Sequence, residues 1–87
     1  MASYRLVIKK SAVKELEDVE PKKLRQRLVA AIERLADDPR PAGCEQLAGA
    51  HNGYRIRQGD YRAVYAIDDE EQVVTIVKVG HRREVYR

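Results

Sequence analysis

The chain has 87 residues, 44% of them hydrophobic and 36% charged, with a formal net charge of +3. That allows one domain, spanning 1–87, around one modest core, and it excludes an enclosed multi-layer enzyme. A single cysteine, Cys44, rules out an intrachain disulfide and a cysteine-built zinc site, and no apolar run approaches the roughly 20 residues of a membrane helix.

The N-terminus MASYRLVIKK lacks the charged, apolar and small-residue order of a secretory signal. A cytoplasmic protein with no membrane partner is therefore expected. Within that segment Tyr4, Leu6 and Ile8 alternate with Arg5, Val7 and Lys9, which predicts a first strand. Ser11 is a candidate N-cap for a short helix over AVKELEDV that buries Val13, Leu16 and Ala12. Pro21 suits the first turn of a second helix, where Leu24, Leu28, Ala31, Ile32 and Leu35 form an apolar stripe. Pro39 ends it, because the residue before a proline disfavours helix. AGCEQLAGAHNG reads as a loop anchored by Leu47, with Cys44 as a plain loop thiol.

From Gly53 the period switches to two, in GYRIRQ, YRAVYAI and QVVTIVKVG. Gly59-Asp60 alone separates the first two runs, as a two-residue hairpin requires, and the acidic DDEE, Asp68 to Glu71, supplies the next turn. The order strand, helix, helix, three-stranded meander predicts an α+β domain with two helices on one face of a mainly antiparallel four-stranded sheet. The other face is left open.

That hairpin opposes Arg57 to Arg62, Ile56 to Ala63, Arg55 to Val64 and Tyr54 to Tyr65. Directly opposed side chains share a face, so Tyr54, Ile56, Ala63 and Tyr65 go under the helices while Arg55, Arg57 and Arg62 gather on the open side. Like charges facing across a strand pair cost stability, and a surface without a task would carry mixed signs there. Three guanidiniums instead suit a phosphate clamp, because each offers a fixed fork of donors. The chain ends in VGHRREVYR, and the meander returns that segment towards Tyr61 and Arg62, with Gly80 permitting a sharp exit that folds it over the arginines. A basic excess concentrated this way is the electrostatic footprint of an anionic partner such as nucleic acid. No Asp/Glu/His group has metal-ligand spacing, and neither metal nor cofactor is expected.

GYRIRQGDYRAVYAID followed by VVTIVKVGHRREVYR, after a strand and two helices, resembles the RelE branch of the RelE/ParE toxin superfamily along essentially the whole chain. The resemblance implies the toxin of a type II toxin–antitoxin module: an endoribonuclease that cuts mRNA in the ribosomal A site, inhibits translation and is held inactive in a complex with a RelB-like antitoxin. Carried over, the strand arginine of that branch falls on Arg62, the arginine after the glycine on Arg82 and the terminal tyrosine on Tyr86. The strand pair that contacts RNA falls on Arg55 and Arg57, and Arg83 joins them on the phosphates. His81 stands where lysine is common.

Cleaving RNA without a metal needs a 2′-hydroxyl to attack the adjacent phosphate, and preset guanidiniums stabilise the charge that develops there. Arginine stays protonated, so the proton acceptor is Tyr86, His81 or Glu84. Positive neighbours favour the phenolate of Tyr86, whose ring could alternatively stack on a base. Two other readings compete: a ParE-like inhibitor of DNA gyrase without nuclease activity, and a plain nucleic-acid-binding module. HRREVY favours the nuclease over the former, while strong salt dependence without product would mark the latter.

Overall fold

The computed structural model describes residues 3–49 and 52–81. Strand β1 (Arg5–Ile8) leads into helices α1 (Lys10–Glu17) and α2 (Lys22–Arg34). Four strands follow: β2 (Glu45–Gln46), β3 (Gly53–Gln58), β4 (Tyr61–Asp68) and β5 (Val73–His81). They form one five-stranded sheet in the order β1-β5-β4-β3-β2, with β1 parallel to β5 and every other pair antiparallel. The expected α+β architecture is present. The expected four strands become five, because two residues of the supposed 42–53 loop pair with Arg55 and Tyr54 at the sheet edge.

The core forms between the helices and one face of the sheet. Leu28, Ile32 and Leu35 of the second-helix stripe are buried against Ile56, Ala63, Tyr65, Val74, Ile76 and Val79. The Tyr65 ring is stacked on Tyr54, 5.9 Å between centroids, and its hydroxyl donates to the Pro39 carbonyl at 2.7 Å. Burial, then the neighbouring Cys44, pushes the Tyr65 phenol up, so it stays protonated and able to donate.

Three local expectations are corrected. Ser11 lies inside α1, whose N-cap is Lys9 with no side-chain cap bond; Lys9 sits there because its N–H donates to Ile76 at the end of the β1–β5 ladder. Ala12 is buried as expected, whereas Val13 is 40% exposed. Pro21 is the N-cap of α2 instead of its first residue, which still uses a proline where no N–H is needed. The β4–β5 turn comprises 69–72, one residue later than DDEE: Asp68 completes β4 and accepts from the Glu71 N–H, and Gln72 turns the chain at φ 56°.

At that end of the sheet Asp69 accepts from Tyr4 at 2.6 Å and from both terminal nitrogens of Arg40, the shorter bond 2.8 Å. Arg40 also donates to the Tyr54 hydroxyl. Arg40, then Tyr4, holds the Asp69 carboxyl below its ordinary value of 3.8. A depressed carboxylate contributes stability above its unfolded pKa and loses it as pH falls through the folded value. Asp69→Asn is therefore expected to melt below wild type near neutral pH, with the gap closing at acid pH below that ordinary value; melting curves across pH check this.

Candidate functional site

The hairpin register is the one read from the sequence: Arg57 opposes Arg62, Ile56 opposes Ala63, Arg55 opposes Val64 and Tyr54 opposes Tyr65, around a turn in which Gly59 takes φ +60°. Alternation sends Ile56, Ala63 and Tyr65 into the core and Arg55, Arg57 and Arg62 to the open face. Arg57 is exposed, Arg55 is partly covered, and Arg62 retains only 7% of its surface. A guanidinium this enclosed is held in a narrow range of positions, the preorganisation that electrostatic catalysis needs.

Strand β5 supplies the other side. Gly80 lies opposite Arg62 and Lys78 opposite Val64, so both share the open face with the arginines. Gly80 is itself buried and presents only backbone opposite Arg62. The glycine does not end the strand, as the sequence suggested; β5 continues through it to His81.

His81 goes elsewhere. It opposes Tyr61, which shares the helix-side face, and the two rings meet edge to face with 5.7 Å between centroids. The expectation that His81 stands beside the arginine face is corrected, and the reason is a one-residue bulge. Val64 opposes Lys78 but Tyr65 opposes Ile76, so Val77 is extra, and every residue after it changes face. Arg82, Arg83 and Tyr86, with Glu84, lie outside the described residues.

Helix α1 also contacts this end of β5. Strand β1 pairs with β5 only as far as Ile76, and among the described residues no strand pairs with that outer edge beyond it. Glu15 of α1 fills part of that gap, its Oε1 accepting from the Val79 N–H at 3.0 Å, beside a cleft that Asp18, Tyr61 and His81 also line. Val79 is 1% exposed, so Glu15→Ala strands a buried donor and is expected to destabilise the fold by about 1–3 kcal/mol, measurable by urea denaturation.

One charged residue on the open face went unread. Glu45 of β2 opposes Arg55, and its Oε2 lies 2.8 Å from the Arg55 Nη2. Arg55 foremost, with Arg62 and Arg57 adding their fields, lowers the Glu45 carboxyl below its ordinary pKa. Its partner is ten positions away and β2 is too short to show a period, so no local pattern announces it. Among the described residues no group of His, Cys, Asp and Glu is placed to hold a metal ion, and no helix is long and apolar enough to cross a membrane.

An enclosed arginine, two flanking arginines and a lysine thus gather positive charge on one sheet face, with Glu45 among them. Comparison with known proteins identifies the family. Residues 6–86 match the family model described as the ParE toxin of the type II toxin–antitoxin system parDE. The chain is 32% identical to toxin RelG of Mycobacterium tuberculosis, over 97% of both chains. It superimposes on the archaeal RelE–RelB complex structure from Pyrococcus horikoshii with a TM-score of 0.80 and 32% identity, covering 92% of this chain and 96% of that one. For the isolated Escherichia coli RelE toxin the TM-score is 0.79 at 31% identity, covering 97% and 92%. The chain belongs to the RelE/ParE superfamily of type II toxin–antitoxin toxins, in its RelE branch.

Proposed function

We propose that this toxin is a metal-independent endoribonuclease that cuts mRNA on translating ribosomes. The observation that carries the reading is the enclosed Arg62 between Arg57 and the side-chain-free Gly80. In this reading the 2′-oxygen of one nucleotide attacks the adjacent phosphorus while its proton passes to a base. Negative charge builds on the phosphoryl oxygens, where Arg62 and Arg82 neutralise it. The 5′-oxygen then leaves with a proton, giving a 2′,3′-cyclic phosphate and a 5′-hydroxyl end. Arg55, Arg57 and Arg83 hold the flanking backbone, and the Lys78 ammonium adds to the attracting field.

Tyr86 is our choice of proton acceptor. His81 faces the helices against Tyr61, on the other side of the sheet from Arg62, which supports the tyrosine over the histidine. Solved relatives include RelE–RelB toxin–antitoxin complexes from several organisms, and this supports a RelB-like antitoxin as the cognate partner. A partner of that kind silences the toxin by covering or distorting the positive face.

The description of the matching family model favours a second reading, a ParE-like gyrase inhibitor. That branch shares the strand arginine that falls on Arg62, so it is the clustered HRREVY segment that favours the nuclease. Purified protein added to a reconstituted translation reaction distinguishes them: the nuclease reading expects mRNA cut at the codon awaiting decoding, with a new 5′-hydroxyl end. Intact message alongside inhibited gyrase would replace it with the second reading.

A further inference from the structure

Arg55, Arg57 and Arg62 do not face solvent as an all-positive surface, because Glu45 stands among them. The register pair Glu45–Arg55 puts both side chains on the open face, in an ion pair of 2.8 Å. A carboxylate and a phosphodiester present the same feature to a guanidinium, two anionic oxygens on one centre, and they compete for the same fork of donors. We propose that Glu45 is a displaceable counter-ion of the arginine face: its carboxylate occupies the position on Arg55 that an RNA phosphate takes over when RNA binds. The inference rests on the nucleic-acid reading of this face.

The setting makes the exchange easy. Glu45 keeps 60% of its side-chain surface while Arg55 keeps 19%, so the pair is open to water and salt on its carboxylate side, the side that leaves. It is carried on a strand of two residues at the sheet edge, held by pairing with β3 and one bond from the Leu47 N–H to the Gly53 carbonyl. Releasing the side chain disturbs neither the core nor the β3–β4 register.

In the free protein the carboxylate offsets repulsion among guanidiniums that the hairpin forces together, with Arg57 directly opposite Arg62. In the complex it is an anion beside the incoming phosphates. Glu45 therefore favours the empty site and opposes the filled one. An isolated small anion gains little by displacing it, whereas a phosphodiester chain that also engages Arg57 and Arg62 does. The device thus selects for a continuous polyanion.

Opposite effects on stability and binding distinguish this from a merely structural role, which would weaken both. The test uses the full chain, a short fluorescein-labelled single-stranded RNA whose 2′-O-methyl groups prevent cleavage, fluorescence anisotropy over a salt series, and melting curves. Glu45→Gln is expected to lower Tm by about 2–4 °C. It is expected to bind the RNA roughly two- to fivefold tighter at low salt, the scale of one exposed ion pair. In an Arg55→Gln background the gain should vanish. Binding no tighter than wild type, or a gain that survives Arg55→Gln, overturns the proposal. An Arg57→Ala control separates the levels. If wild type binds RNA and Arg57→Ala weakens it while Glu45→Gln changes nothing, the counter-ion role alone falls. If neither wild type nor Glu45→Gln binds, the counter-ion proposal falls, and the translation reaction decides the nuclease reading separately.

Discussion

Replacing Arg62 with alanine is expected to slow mRNA cleavage by roughly 10²–10³-fold, the usual effect of removing one preset charge-stabilising donor. Growth arrest on induction should vanish with it. The fold should survive, for two opposing reasons. Arg62 keeps only 7% of its surface, so truncation removes packing of its aliphatic stem. It also removes one member of the directly opposed Arg57–Arg62 pair, which relieves repulsion. The two effects offset, so the net loss of stability is expected at the low end of the roughly 0.5–3 kcal/mol usual for point substitutions. Single-turnover cleavage with translating ribosomes, beside a urea denaturation curve, gives both numbers. A folded variant that cuts at the wild-type rate would remove Arg62 from the chemistry.

The second large effect belongs to the proton. Tyr86→Phe keeps the ring and deletes the hydroxyl, whereas Tyr86→Ala removes both. If the phenol accepts the 2′-proton, phenylalanine should lower the single-turnover rate by roughly 10²–10⁴-fold with ribosome binding little changed, as for other general acid–base groups. His81→Gln should cost far less, because that ring meets Tyr61 on the helix side of the sheet. A nearly active Tyr86→Phe with an impaired Tyr86→Ala would make the tyrosine a stacking platform. Near-normal rates in both Tyr86→Phe and His81→Gln would put the proton acceptor outside this ending.

The hairpin was legible because two constraints coincide. A period-two pattern fixes which residues share a face, and a two-residue loop at Gly59-Asp60 fixes the register, so the arginine face follows from the chain alone. The β5 segment resisted the same reading because a bulge shifts the phase of the alternation. A trace of it was present: Val74 and Ile76 are followed by Val79, a spacing of three, and Lys78 sits where unbroken alternation would bury it. Taking that spacing as a bulge would have turned His81 to the helix side and put Gly80 beside Arg62. The pairing of β2 left no such trace, since two residues define no period and Glu45 meets Arg55 only after the intervening loop returns. Likewise the Arg40–Asp69–Tyr4 contacts join three separate segments, and none contains the others' pattern. The start of α1 slipped by two residues because tertiary pairing at Lys9 outweighed the capping preference of Ser11.

The claim that this positive face cuts message inside the translating ribosome is tested most directly in cells. The protein is induced without antitoxin, the 5′ ends of mRNAs are mapped, and gyrase–DNA complexes are measured in the same cultures. The expected result is new 5′ ends confined to translated reading frames, in register with codons, absent from untranslated regions and abolished by Arg62→Ala, with gyrase unaffected. Intact mRNA together with trapped gyrase–DNA complexes would contradict it.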